Sequence, residues 1–173
     1  SWQLDEDLFI EYFNQHPEVK LIIAPHVIDE NHLVEIIRKL KRPYVRYTRA
    51  NEKNVRKADC LIIDCFGLLS SIYRYGEIAY IGGGFGVGIH NTLEAAVYGI
   101  PVIFGPKYQK FQEAIQLLET KGAFSVKDYE ELKTLLDRML TDEVFLRESG
   151  MNASNYVTSN AGATDKIMSM INF

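Results

Sequence analysis

A chain of 173 residues with 47% hydrophobic and 24% charged side chains has the balance of a folded globular protein about one domain long. At that length it buries roughly 70% of its unfolded surface, so its core needs no disulfide or metal staple. The net charge of −4 argues against bulk nucleic-acid binding, and apolar runs such as residues 21–24 fall far short of the ~20 that cross a bilayer.

Residues 1–15 carry Asp5, Glu6, Asp7 and Glu11 and no basic side chain, which excludes a signal or transit peptide. Opening on Ser1-Trp2 inside an amphipathic pattern, the chain reads as a piece of something longer. Leu8, Phe9, Tyr12 and Phe13 form a helical stripe that stops at His16-Pro17, and residues 19–24 read as a buried strand. Leu33, Ile36, Ile37 and Leu40 repeat at helical spacing, and residues 44–48 are a second strand.

Between residues 38 and 57 stand nine basic side chains, Arg38, Lys39, Lys41, Arg42, Arg46, Arg49, Lys53, Arg56 and Lys57, against one acid, Glu52. The stretch is either a solvated helix end and loop or a face for an anionic surface such as a membrane. Residues 60–64 are a third strand, with Cys60 and Cys65 expected as two buried thiols on opposite faces of an extended segment. Such thiols cannot bridge, and they fit a reducing, cytoplasmic setting. Asp64 ends that strand, where it caps the short helix expected over 68–75.

A fourth strand over 77–81 runs into Gly82-Gly-Gly-Phe-Gly-Val-Gly-Ile-His-Asn91, and a helix follows to Tyr98, closed by Gly99. Five glycines between a strand and a helix let backbone N–H groups approach an anion. No register gives the dinucleotide fingerprint G-x-G-x-x-G, and no Gly-Lys-Ser/Thr follows. Asn91-x-x-Glu94 has two readings, a capping box or a ribose-and-phosphate contact, and His90 either donates to an anion or closes the loop. A metal site from His26, His32 and His90 lacks ligand spacing.

Residues 101–104 are a fifth strand, followed by Lys107 and Lys110 as candidate phosphate partners, a helix bearing Phe111, Ile115 and Leu118, and a sixth strand over 123–126. Residues 129–173 are helical in pattern, with breaks near Thr141 and Ser159. Strands alternating with helices predict an α/β, Rossmann-like, doubly wound parallel sheet of about six strands with helices on both faces. Its ligand rim lies beyond the carboxyl ends of the strands. The whole of 1–173 reads as one ligand-binding domain.

The order of motifs carries a resemblance. Tyr80-Ile-Gly-Gly-Gly84, Gly88-Ile-His-Asn91, Leu93-Glu94-Ala95, Gly99-Ile-Pro-Val-Ile-Phe-Gly-Pro106 and Phe111 resemble the C-terminal half of 3-deoxy-D-manno-octulosonic acid (Kdo) transferases, glycosyltransferases of the two-domain B fold. Asp64-Cys-Phe-Gly67-Leu-Leu is similar to that family's D-T-M-G-E-L segment, and Pro25-His26 to its P-R-H segment. The resemblance implies a donor-binding domain for CMP-Kdo, with the acceptor, the lipid A precursor of lipopolysaccharide, held by an N-terminal half at the cytoplasmic face of the bacterial inner membrane. It implies no metal and no cofactor. It places Phe66, Gly67 and Leu68 near the nucleotide, Gly83 and Gly84 along the cleft, His90 and Asn91 toward phosphate, and Glu94 toward the ribose, with His26 on the same rim.

The pattern departs in places. Gly84 replaces a serine, Ile89 a glycine, Thr92 and Ala95 prolines, and Lys110 stands where asparagine is usual before Phe111. No arginine flanks Pro25-His26, so Lys107 or Lys110 is the candidate to replace it. No catalytic residue is expected in this chain, because the family's base is a carboxylate of the N-terminal half, and the isolated chain is expected to bind donor without turnover. Two other classes fit the residues: another B-fold sugar-nucleotide enzyme, such as a UDP-sugar transferase or epimerase, and a non-catalytic module binding anionic lipid.

Overall fold

A computed structural model describes residues 1–161. The elements in order are α1 (Gln3–Gln15), β1 (Leu21–Ile23), α2 (Glu30–Lys39), β2 (Tyr44–Arg46), α3 (Glu52–Val55), β3 (Cys60–Ile62), α4 (Leu69–Ile72), β4 (Ala79–Ile81), α5 (Leu93–Ala96), β5 (Val102–Phe104), α6 (Gln112–Glu119), β6 (Ala123–Ser125), α7 (Tyr129–Thr141) and α8 (Glu143–Asn160). All six strands pair in parallel, as two three-stranded ladders ordered β1-β3-β2 and β4-β5-β6. The strands are shorter than the apolar runs that predict them, and α3 was not foreseen, since no apolar stripe marks it. It forms instead on Asn51, whose side chain accepts from the Lys53 and Asn54 N–H groups while Oδ1 of Asn54 receives the Asn51 N–H. The helical pattern past Thr141 continues to Asn160, and the rest of it lies outside the described residues.

Local chemistry sets the helix ends. Asp29 caps α2 by accepting from the Asn31 and His32 N–H groups, and Asp128 and Asp142 cap α7 and α8. Past the end of α1 the chain turns over Arg42, whose guanidinium donates to the carbonyls of Phe13, His16, Pro17 and Val19 and lies 4.1 Å over the Phe13 ring. One side chain thereby meets a carbonyl of the helix's last turn and three of the turn that follows it.

One core cluster gathers Ile10, Phe13, Leu33, Ile36 and Ile62 around the β1-β3-β2 ladder. Another gathers Ile81, Val102, Phe104, Leu117 and Ala153 around β4-β5-β6, and a third packs α7 on Ile103. Helix α8 reaches the second ladder through close backbone contact: a Cβ on Gly150 would lie 2.1 Å from the Gly99 carbonyl oxygen. Cys60 is buried in β3, where desolvation pushes its thiol up to about 12. The expectation of two buried thiols in one strand is corrected, because Cys65 lies beyond β3 and is half-buried.

Candidate functional site

Parallel pairing puts the carboxyl ends of each ladder's three strands on one edge, and the stacking of His26, after β1, on His90, after β4, joins the two edges as one rim. The rim's centre is aromatic. The His26 and His90 rings stack with centroids 4.8 Å apart, and Trp2 lies 4.5 Å from His26 and donates its indole N–H to Nε2 of His90 at 3.0 Å. Two histidines 64 positions apart in sequence, His26 and His90, are therefore neighbours in the fold, as the rim prediction requires. Burial, with His26 and the amino terminus adding to it against Asp5, holds the His90 pKa below its ordinary value.

The glycine loop is built tightly. Gly83 has φ +99°, and a Cβ on it would lie 2.2 Å from the Gly88 carbonyl oxygen; one on Gly84 would lie 2.5 Å from the Gly105 backbone. Both glycines are buried. The Gly83 N–H is not free for a bound anion, because the protein's own carboxylate takes it: it donates to Oδ2 of Asp5 at 2.8 Å, and the Tyr80 hydroxyl donates to the other oxygen at 3.1 Å. Burial, joined by the charge of Asp5 and that hydrogen bond, raises the Tyr80 pKa far above its ordinary value, so Tyr80 remains a donor. The Gly86 and Gly88 N–H groups turn back onto the Gly83 carbonyl, and the His90 N–H onto that of Gly82.

The capping-box reading of Asn91 and Glu94 is corrected, because Asn91 accepts from the Leu93 N–H and not from that of Glu94. The Asn91 side-chain oxygen accepts the Leu93 N–H at 3.0 Å, and its amide donates to the Glu94 carboxylate at 3.1 Å, so the pair is joined side chain to side chain and Thr92 occupies the cap. Glu94 remains half-buried and Asn91 exposed, both within reach of the rim. Burial, with Glu94 nearby, pushes the Tyr73 phenol up to about 12.

Lys107 donates to the Gly86 carbonyl at 2.8 Å, which fastens the β5 loop to the glycine loop and places its ammonium beside it. Lys110 is exposed. The segment Phe66-Gly67-Leu68 stands on the rim after β3, with Phe66 82% exposed and Gly67 at φ +88°. Among the described residues no hydrogen bond joins it to the glycine loop, so its aromatic face is open.

Asp64 does not cap α4. Its side chain turns to β2, accepting from Arg46 Nε at 2.8 Å, the Thr48 hydroxyl at 2.6 Å and the Thr48 N–H at 2.9 Å, while Arg46 also holds Glu30 at 2.8 Å. Burial alone would raise this carboxyl, but the Thr48 and Arg46 bonds outweigh it and hold it down to about 2. Arg46 and Arg42 are thereby withdrawn from the basic stretch, and Lys39 pairs with Asp7 at 2.5 Å. Arg38, Lys41, Arg49, Lys53, Arg56 and Lys57 remain exposed, interleaved with the partly exposed Tyr44, Tyr47 and Val55.

Trp2 and Asp5 escaped the sequence reading. Asp5 lies one turn before the apolar stripe of α1 and is buried, so an acid at a core position of that helix was the available signal, whereas Trp2, exposed at the N-cap of α1, offered none. Among the described residues no group of three or more His, Cys, Asp or Glu side chains is arranged to hold a metal ion.

The fold is a Rossmann-like α/β domain of the kind that forms the C-terminal domains of B-fold glycosyltransferases. Of solved structures, the C-terminal CMP-Kdo binding domain of WaaA from Acinetobacter baumannii superposes with a TM-score of 0.78 at 19% identity, covering 91% of this chain and 85% of that one. In sequence the chain is homologous to Kdo transferases. It is 36% identical to the 3-deoxy-D-manno-octulosonic acid transferase of Aquifex aeolicus over 77% of its length, and 32% identical to that of Rickettsia felis over 70%. It spans only 37% and 27% of the lengths of those two proteins. No family model matches the chain.

Proposed function

We propose that this chain is the donor-binding part of a glycosyltransferase that moves Kdo from CMP-Kdo to the lipid A precursor in lipopolysaccharide synthesis. The observation that carries the reading is the meeting of His26, His90, Asn91 and Glu94 on one rim beside the glycine loop, in a chain homologous to Kdo transferases. On this reading Glu94 accepts from the ribose hydroxyls, and His90, Asn91 and the ammonium groups of Lys107 and Lys110 face the anionic phosphate and the sugar carboxylate. Phe66 offers an exposed ring, with Gly67 and Leu68, to the base. The buried Gly83 and Gly84 shape the cleft floor from behind.

Glycosyl transfer needs a base for the acceptor hydroxyl and support for the departing phosphate. The rim supplies the second through His90, Lys107 and Lys110. The base and the lipid acceptor belong to the N-terminal half of the full-length protein, at the cytoplasmic face of the inner membrane. The six exposed cations between Arg38 and Lys57 give that protein an anionic-membrane contact outside the donor cleft. Among the described residues no helix is long and apolar enough to cross a membrane.

The test is calorimetric titration of the 173-residue chain with CMP, UMP and NAD, repeated on Glu94→Ala after circular dichroism confirms its fold. CMP binds in preference to the others and weakens at least about tenfold in the variant, the loss of roughly one charge-assisted hydrogen bond. A preference for UMP would move the chain to another sugar-nucleotide enzyme, and binding indifferent to Glu94 would remove its ribose role.

A further inference from the structure

Trp2 is the single tryptophan of the chain, and nothing in the donor-binding reading uses it. Its side chain is nonetheless committed at the rim: the indole N–H donates to Nε2 of His90 at 3.0 Å, and the indole lies against His26 at 4.5 Å and parallel to His90 at an interplanar angle of 10°. An indole N–H is a donor only, so the contact is productive for one neutral form of the imidazole, the one protonated on Nδ1. The Nδ1–H has no protein partner among the described residues, which leaves it as the ring's free donor.

We infer that Trp2 is a positioning residue that locks His90 as the Nδ1–H tautomer, so that the rim presents a fixed, uncharged hydrogen-bond donor to an anionic ligand. A second-partner bond that fixes which imidazole nitrogen carries the proton is the general way proteins assign a histidine its role. The groups facing His90 agree with a neutral ring: His26 stacks on it, and Asp5, the acid close by, is already occupied by Gly83 and Tyr80. A neutral donor has a consequence for chemistry. It holds a phosphate or carboxylate oxygen by direction and without adding a charge that product release must separate, while Lys107 supplies charge from the β5 loop. That consequence rests on the donor-binding reading; the tautomer assignment does not.

The experiment separates the two. Nitrogen-15 chemical shifts of the His90 ring, assigned with His90→Gln, report which nitrogen is protonated in the ligand-free chain, and CMP affinity is measured on the same samples. In the wild type Nδ1 carries the proton. In Trp2→Phe, which keeps an aromatic ring over His26 but has no donor, the ring reverts to the Nε2–H form that a free imidazole favours in water, and CMP binds roughly tenfold more weakly. If Trp2→Phe does not fold, 3-benzothienylalanine at position 2 exchanges only the indole N–H for sulfur. A His90 ring protonated on Nε2 in the wild type, or unchanged by removal of the indole donor, overturns the inference whatever CMP does. A tautomer that switches as expected while CMP affinity holds leaves Trp2 setting the ring but overturns its bearing on the ligand. Absence of CMP binding in every sample overturns the donor reading and leaves the tautomer result to judge Trp2.

Discussion

The two ladders end differently at the rim. Beyond β2 and β3 the buried polar groups are ionised side chains that satisfy one another: Asp64 takes Arg46 and both donors of Thr48, and Arg46 takes Glu30 as well. Beyond β4 and β5 most contacts are main chain on main chain, with Gly83 against Gly88, Gly84 against Gly105, and the Lys107 N–H on the Gly84 carbonyl, and one buried carboxylate, Asp5, joins them at the Gly83 N–H. The first end is clamped chiefly by electrostatics, whereas the second is clamped chiefly by close packing. A site that must bring backbone near an anion needs the second kind, and its neighbour holds the β3 loop in register without occupying the cleft.

The sharpest way to break the comparison is a methyl group. Gly83→Ala combines a left-handed φ of +99° with a Cβ that would lie 2.2 Å from the Gly88 carbonyl oxygen. Strain and overpacking together cost about 3–5 kcal/mol, which urea denaturation reads as a large fall in midpoint, equal at pH 7 and pH 4. A variant as stable as the wild type would show the loop able to move, and the steric account of this end would be lost.

Next in size is Arg46→Met at the other end. The side chain keeps its volume but leaves the buried Asp64 carboxylate with Thr48 alone, at a cost of about 2–3 kcal/mol. Acid should erase that difference. The folded Asp64 carboxyl is held down to about 2 against 3.8 unperturbed, so its contribution is complete above about pH 4 and is lost as the pH falls toward 2. Stability of the wild type minus that of Arg46→Met therefore shrinks through this window by the share of that contribution that Arg46 carries beside Thr48, while the deficit of Gly83→Ala does not. A pH-independent gap for Arg46→Met would assign the arginine's contribution to packing instead.

The contrast also explains what was legible in the sequence. Strand and helix order, the shared rim, the glycine loop and Gly99 as a helix stop all come from local periodicity and turn chemistry, which a linear reading detects. What escaped was held by distant partners. Asp64 looked like a helix cap because the three donors it takes lie 16 to 18 positions upstream, and the Gly83 N–H looked free because Asp5 lies 78 positions away. The basic stretch read as one patch, yet Arg42 and Arg46 are structural, and only the fold reveals which carbonyls and carboxylates they meet. Position on the rim was thus readable for His26, His90, Asn91 and Glu94, whereas their partners Trp2 and Asp5 required the fold of α1.

The smallest effect tests the packed end from its surface. Lys107 joins the two loops of that end by donating to the Gly86 carbonyl at 2.8 Å, but its side chain is exposed, so water replaces the bond when it is removed. Lys107→Met should change stability by less than about 0.5 kcal/mol, as exposed substitutions usually do. If the loop is held by glycine packing, amide exchange at Gly88 stays as slow as in the wild type, because its N–H bond to Gly83 does not involve the lysine. Faster exchange there would make the ammonium a true clasp. Its use by an anionic ligand would then loosen the loop, and the packed end would share the electrostatic character of its neighbour.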